Sequence, residues 1–256
     1  GRANARIKHI RRLRTRRGRE ESDLFLAEGL RLARDAVECG AEIVSLVIAP
    51  ALLDEEAAQE VASLRQSADA EVLEVTPEVL ETLTPQGVGE GVVLAARRRW
   101  RRLEEVAPSD RSLWVAAHRV EHPGTLGTIL RTLDAVGGEG LIVLDDSADP
   151  HDPVAVRASL GAVFTRQLVR ARWPEFAEWK RRTGCHLVGA APSAGADYRQ
   201  AAYPRPLVIL LGSERGGLSE EQTALCDQVV AIPMRGRVDS LHLSVAAGLL
   251  LYQAAG

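Results

Sequence analysis

Apolar and polar positions along this chain fall alternately at helical and at strand spacing. Over Asp23–Gly40 the residues Leu24, Ala27, Leu30, Leu32, Ala33, Ala36 and Val37 gather largely on one helical face, which predicts an amphipathic helix stopped by Gly40. Ile43–Ile48 is short, apolar and partly β-branched, the pattern of a buried strand. Helical spacing returns over Glu55–Ala68, while Val72–Val75 and Val92–Ala95 read as strands. Thr76-Pro77-Glu78 reads as a helix start with proline at the first helical position. Further on, strands are predicted at Leu113–Ala117, Leu141–Leu144, His186–Ala190, Leu207–Leu211 and Val229–Ile232. Between them lie helical patterns at Leu126–Val136, Val154–Val163, Glu175–Arg182 and Glu220–Cys226, and an apolar helix follows at Leu243–Ala255. Apolar strands alternating with helices imply an α/β fold whose parallel sheet is covered on both faces. Periodicity is lost around Pro108, Ser109 and Asp110. We therefore expect a smaller α/β domain over 1–97, a linker over 98–112 and the parallel-sheet domain over 113–256.

Composition narrows the class. Of 256 residues, 46% are hydrophobic and 26% charged, as in a globular protein. Cys39, Cys185 and Cys226 are far apart, with neither metal-ligand spacing nor a disulfide pattern. The expectation is a cytoplasmic protein without a bound metal, and no apolar run reaches the length of a membrane span. A formal net charge of −3 argues against a polyanionic partner, but the charge is unevenly placed. Arg2, Arg6, Lys8, Arg11, Arg12, Arg14, Arg16, Arg17 and Arg19 all precede the first acid, Glu20. A second basic run, Arg97–Arg102, is broken only by Trp100. Local field matters more than the sum for a polyanion, although such runs also form solvated helix faces.

Three loops of the second half carry candidate chemistry. Each follows a predicted strand and leads into a predicted helix, the place where α/β sheets usually bind ligands. The first runs Glu121-His122-Pro123-Gly124-Thr125-Leu126-Gly127, with Arg131 on the helix beyond. Glycines at a helix start let backbone N–H groups approach an anion. Alone, this loop also admits a dinucleotide-dependent oxidoreductase, with Asp145 or Asp146 placed to hold a ribose. The second is Gly212-Ser213-Glu214-Arg215-Gly216-Gly217-Leu218, after which Ser219, Glu220 and Glu221 look like a helix N-terminus. The third runs from Ile232-Pro233-Met234-Arg235-Gly236-Arg237 through Val238-Asp239-Ser240-Leu241-His242. Taken singly, each could be an ordinary turn, with Arg131 a surface residue and His242 a helix-start residue bonded to backbone.

Together and in this order, the loops resemble the three signature motifs of the SPOUT superfamily, in its tRNA/rRNA (SpoU/TrmH-type) ribose 2'-O-methyltransferase branch. The likeness extends over Leu113–Ala255 and includes Val156-Arg157-Ala158-Ser159-Leu160-Gly161-Ala162. In the first half, Phe25-Leu26-Ala27-Glu28-Gly29-Leu30-Arg31 and Thr84-Pro85-Gln86-Gly87 look like the family's N-terminal substrate domain, which resembles RNA-binding ribosomal proteins. The resemblance implies a trefoil knot in the C-terminal domain, a homodimer formed through that domain, and S-adenosylmethionine as methyl donor. It implies donor contacts at Gly212, Ser213, Ile232, Met234 and Leu241, and catalytic positions at Arg131, Glu214, Ser240 and His242. Candidate RNA contacts are Arg11, Arg12, Arg14, Arg16 and Arg17 of the basic start, with Glu28, Arg31, Thr125 and Arg157 from the matching segments. Two positions depart from the family: Thr125 and His242 stand where it usually has Asn. A separate N-terminal domain is typical of the family's large-subunit rRNA enzymes, so rRNA is the expected substrate. A tRNA enzyme and a non-catalytic RNA-binding homologue are the alternatives.

The implied reaction is in-line attack of a ribose 2'-oxygen on a sulfonium methyl. The protein must position that oxygen and stabilise its developing charge. A guanidinium stays protonated in proteins, so Arg131 is expected to act electrostatically rather than as a base. A neutral imidazole at position 242 could accept the proton near neutral pH.

Overall fold

The Arg-rich start folds as two helices, α1 (Arg2–Arg12) and α2 (Arg16–Ser22). Ile7, Ile10 and Leu13 turn one side of the first toward the core. Thr15 caps the second by accepting from the Gly18 N–H at 3.1 Å. Asp23 then takes a left-handed conformation, φ 58°, and ends α2. The helix expected over Asp23–Gly40 is corrected here. Leu24–Glu28 is a strand, β1, and only Leu30–Glu38 is helix, α3. Leu24, Phe25, Leu26 and Ala27 are all buried, and a short continuous apolar run cannot be assigned to helix or strand by periodicity alone. Gly29 separates the two elements. Its φ is 99°, and a Cβ there would stand 2.6 Å from the Glu90 carboxylate, so only glycine fits.

The structure is a computed structural model that describes residues 2–84 and 90–256; most of Thr84-Pro85-Gln86-Gly87 lies outside the described residues. The chain continues through β2 (Ile43–Ile48), α4 (Glu55–Ser67), β3 (Glu71–Glu74), α5 (Pro77–Glu81) and β4 (Val92–Arg97). These strands form one sheet in the order β1-β4-β2-β3, with β2 and β3 parallel and the other pairs antiparallel.

After β4 come β5 (Trp100–Arg101), β6 (Leu113–His118), α6 (Pro123–Ala135), β7 (Gly140–Leu144), α7 (Pro153–Ser159), α8 (Ala162–Thr165) and β8 (Gln167–Ala171). Then follow α9 (Trp173–Thr183), β9 (His186–Ala190), β10 (Ala196–Asp197), β11 (Leu207–Leu211), α10 (Glu220–Leu225), β12 (Gln228–Ala231) and α11 (Leu243–Ala255). Strands β5 to β12 build an eight-stranded sheet, ordered β10-β12-β9-β11-β6-β7-β8-β5, and every pairing in it is parallel. Its core includes Trp114, Ile142, Val169, Phe176, Trp179, Leu187 and Leu210. Burying an aliphatic side chain of this size contributes roughly 1.5–3 kcal/mol.

Two compact units result: Gly1–Arg98 with Asp149–Thr165, and Arg99–Ala148 with Arg166–Gly256. The stretch expected as a linker is ordered within the second unit. Trp100 and Arg101 pair with β8, and Leu103 and Val106 are buried in the core. Arg170 lies over the Trp100 ring at 5.0 Å. Strand pairing thus gives this basic run a place that its sequence pattern concealed.

The segment Asp149–Thr165 is held in the first unit by a buried charge network. Arg19, 1% exposed, donates from Nε to Asp149 Oδ2 at 2.7 Å and from a terminal nitrogen to the Leu13 carbonyl at 3.0 Å. Asp152 lies at 3.5 Å from the same guanidinium. Burial pushes the Asp149 carboxyl up, but hydrogen bonding and charge from His151 and Arg19 more than reverse this and hold it far below the usual range. Burial lowers the His151 imidazole against the pull of Asp149.

Candidate active site

Because the large sheet is parallel, β6, β11 and β12 all end on one edge, and the three loops gather there. The first loop turns at Arg119, φ 52°, and enters α6 with Pro123 in its first turn. The second follows β11 and folds back on itself. The Gly217 N–H donates to the Ser213 carbonyl at 3.0 Å, and the Gly216 N–H to Ser213 Oγ at 3.0 Å. A Cβ on Gly212 would stand 2.2 Å from the Gly217 carbonyl oxygen. Glycine is therefore required there by the loop's own backbone, whatever ligand it meets. Ser219 and Gln222 form a reciprocal cap that starts α10 immediately beyond.

Glu214 joins two of the loops. Its Oε2 accepts from the Glu121 N–H at 3.0 Å. Its Oε1 is buried with no hydrogen-bond partner among the described residues. A carboxylate oxygen left in that state is costly unless a ligand donor meets it.

In the third loop, Ile232 and Met234 line a cavity of about 340 Å³ with Pro192, Gly195, Asp197 and Asp239. Hydrogen bonding with Arg199 holds Asp197 down to about 2, and the two form an ion pair at 2.6 Å on this wall. Ser240 and Leu241 are exposed beyond it. His242 caps α11: Nδ1 lies 3.3 Å from the Ser244 N–H and 2.8 Å from its hydroxyl. The Nδ1 lone pair that accepts this N–H is committed to the backbone, which leaves the other ring nitrogen facing outward as the N–H of the neutral tautomer.

Helix α6 packs against α11, which brings the first and third loops onto neighbouring helices. Arg131 lies two turns into α6, exposed and with no hydrogen-bond or ion-pair partner among the described residues. Thr125, expected as an RNA contact, is in the first turn and only 4% exposed. Asp145, one of the two acids considered for a ribose in an oxidoreductase, has both oxygens engaged. It meets His118 Nε2 at 2.7 Å and accepts from the Trp173 N–H at 2.9 Å. Sequence reasoning missed this His–Asp pair, since nothing links two residues on separate strands until the sheet aligns them.

The basic candidates of the Arg-rich start are all engaged. Arg12 and Arg17 pair with Glu21, and Arg16 with Glu20. Arg11 donates to the Thr82 hydroxyl at 2.8 Å and Arg14 to the Thr82 carbonyl at 3.0 Å. Glu28, Arg31 and Arg157, by contrast, come together on the lining of one cavity of about 240 Å³. Burial raises the Glu28 pKa, Arg157 opposes the shift and Glu90 adds to it.

Comparison with known proteins bears on this arrangement. The model of the SpoU rRNA Methylase family matches residues 112–252, the span that holds all three loops. The chain belongs to the SpoU rRNA methylase family. A model of an MRM3-like substrate binding domain matches residues 4–93. Among solved structures, an AdoMet-bound rRNA methyltransferase from Sinorhizobium meliloti is 35% identical, with a TM-score of 0.89 over 97% of this chain and 93% of that one. The SpoU methyltransferase AviRb from Streptomyces viridochromogenes, in complex with AdoMet, is 30% identical, with a TM-score of 0.88 over 98% and 97%. The 23S rRNA (guanosine(2553)-2'-O)-methyltransferase RlmP of Bacillus subtilis is 26% identical, over 99% of this chain and 97% of its own. The family expected from the three loops is thus the family found. Among the described residues no helix is long and apolar enough to cross a membrane, and no group of three His, Cys, Asp or Glu could hold a metal.

Proposed function

We propose that this protein methylates a ribose 2'-hydroxyl of large-subunit rRNA with S-adenosylmethionine as donor. The observation that carries this reading is the meeting of three family loops at one sheet edge, two of them tied by Glu214, with Arg131, unpartnered among the described residues, on the helix that the first loop enters. Relatives with near-complete coverage bind AdoMet or act on 23S rRNA, according to their names.

The residues present suit the donor. Ile232 and Met234 give apolar walls and Asp239 a carboxylate, while the orphaned Glu214 oxygen awaits a hydrogen-bond donor. These residues, with backbone from Gly212 and Ser213 and the exposed Leu241, would hold the methyl donor. When bound, it supplies a sulfonium methyl. The protein's task is then to orient the 2'-hydroxyl and stabilise its oxygen as the proton leaves. Arg131 serves that charge, because a guanidinium cannot take the proton. His242 positions the third loop as a helix cap, and Ser240 lies beside it for a hydrogen bond to the sugar.

The dimer and the knot expected of the family belong to the same proposal. Leu241, Val245, Leu249 and Tyr252, spaced three and four apart, are 38%, 51%, 38% and 61% exposed. An apolar stripe of this kind on a helix is the usual signature of a partner surface, and a second copy would cover it. The likeness to SPOUT structures over nearly the whole chain supports the knotted topology. Mapping 2'-O-methyl positions in rRNA from cells with and without the protein tests the function. One ribose that loses its methyl in the deletion and regains it with purified protein and donor is the expected result.

A further inference from the structure

The cavity that unites Glu28, Arg31 and Arg157 is built wholly within the first unit, from β1, α3, β4 and α7. Its remaining walls are mainly apolar: Leu26, Leu32, Leu83, Val93, Val156 and Leu160. At about 240 Å³ it falls just below the roughly 300–1,000 Å³ of ordinary ligand pockets, a size for one flat heterocycle rather than a base pair. Two carboxylates reach it, and they are not equivalent. Glu90 is already used, accepting from the Leu30 N–H at 3.3 Å. Glu28 is half-buried and accepts no hydrogen bond among the described residues.

An ionised carboxylate only accepts, through two adjacent oxygens. The best match on a nucleobase edge is two donors side by side. Guanine alone offers that, with N1–H next to N2–H. Adenine and cytosine place an acceptor beside their amino group, and uracil flanks one N–H with two carbonyls. Arg31 and Arg157 are both exposed at this cavity, as contacts to the flanking phosphates would need. Unstacked bases of single-stranded RNA are read in this way, by apolar enclosure and their Watson–Crick edge. We propose that this cavity holds an extruded guanosine of the RNA substrate, with Glu28 pairing to the guanine N1–H and N2–H. The inference rests on the RNA reading above and adds a second contact, apart from the methylated ribose.

The test uses the full chain and four fluorescent pentanucleotides, UUGUU, UUAUU, UUCUU and UUUUU, in anisotropy titrations at fixed salt. Wild type should prefer UUGUU by about five- to 150-fold, the range for one bidentate base contact. Glu28→Gln offers one donor and one acceptor, which adenine, cytosine and uracil can each match, and should abolish the preference for UUGUU. Glu28→Asp should weaken binding but keep guanine ahead of adenine. Arg31→Ala with Arg157→Ala should weaken all four alike while retaining the order. Free GMP competing as well as UUGUU would support the pocket and assign it a mononucleotide. Equal binding of the four pentanucleotides by wild type, or no binding at all, would overturn the proposal even if rRNA methylation is found. A guanine preference in a protein that methylates no rRNA would instead sink the functional reading and leave the pocket standing.

Discussion

Arg12, Arg16 and Arg17 in the first unit each meet a glutamate, and Arg19 is buried against Asp149, whereas Arg131 in the second unit has no partner among the described residues. These are the same side chain put to three uses. The exposed pairs are solvated surface and contribute little to stability. The buried one fastens a chain segment. The unpartnered one lies on α6, the helix that the first loop enters, where its charge is not already answered. Counting arginines in the sequence ranks the first unit as the cationic centre, while their partners point to Arg131 for chemistry.

The buried pair should give the largest effect. Arg19→Ala takes the guanidinium from the buried Asp149 carboxylate and leaves it its contacts with His151; breaking a buried pair in this way typically costs about 3–5 kcal/mol. Urea unfolding followed by a probe in the first unit should show it, and an unchanged midpoint would demote the network to packing. The pH dependence has a definite sign. His151 and Asp149 both titrate below their ordinary values in the fold, so the unfolded chain binds their protons first. Their stabilisation is complete above about pH 6.5, weakens as His151 is protonated in the unfolded chain, and falls further below about pH 4 with Asp149. Thermal melting from pH 8 to 3.5 should follow that course, and Asp149→Asn should remove the fall below about pH 4 while keeping the part due to His151.

Arg131→Ala comes next. Loss of one preorganised charge donor usually costs about 2.7–4 kcal/mol, or 10²–10³ in rate. Single-turnover methyl transfer should fall by that factor while calorimetric donor affinity stays nearly constant. A matching loss of donor affinity would place Arg131 in the donor site instead.

A smaller effect separates the paired from the unpaired charges of the first unit. Arg11 and Arg14 bond only to neutral groups of Thr82, so their charge remains available to phosphate. Each phosphate contact contributes about 0.7–0.9 to the log–log salt slope of RNA binding. Arg11→Ala with Arg14→Ala should lower the slope by roughly 1.4–1.8. Triple replacement of Arg12, Arg16 and Arg17 should change it less, because each already has a carboxylate neighbour. The reverse order would show that phosphate displaces Glu20 and Glu21 readily.

The smallest effect is expected at His242. With Nδ1 holding the Ser244 N–H, His242→Asn keeps a helix cap and should preserve both the rate and its pH profile from 5.5 to 9. A profile that flattens only in the variant would make the imidazole the proton acceptor.

Much of the second unit was legible in the sequence. His186–Ala190 and Leu207–Leu211 are strands, and Leu243–Ala255 a helix, at the expected bounds. Buried parallel strands are continuous apolar runs, and such runs are local. The same locality misled at Leu24–Glu28, where an apolar run suits either element and the pairing with β4 decides. Gln167–Ala171 went unread because its pairing with β7 lies in a distant segment.

What the sequence by itself determined is the family, the α/β class and which three loops carry the chemistry, because spacing and residue type are local properties. Only the tertiary structure decided which charges are spent. It paired the basic start with Glu20, Glu21 and Thr82, and it set Arg131 apart. It also brought Arg157 to Glu28 and bound Glu214 to the first loop. Whether a charge is free depends on what lies within a few ångströms of it, and in a folded chain those neighbours come from anywhere in the sequence.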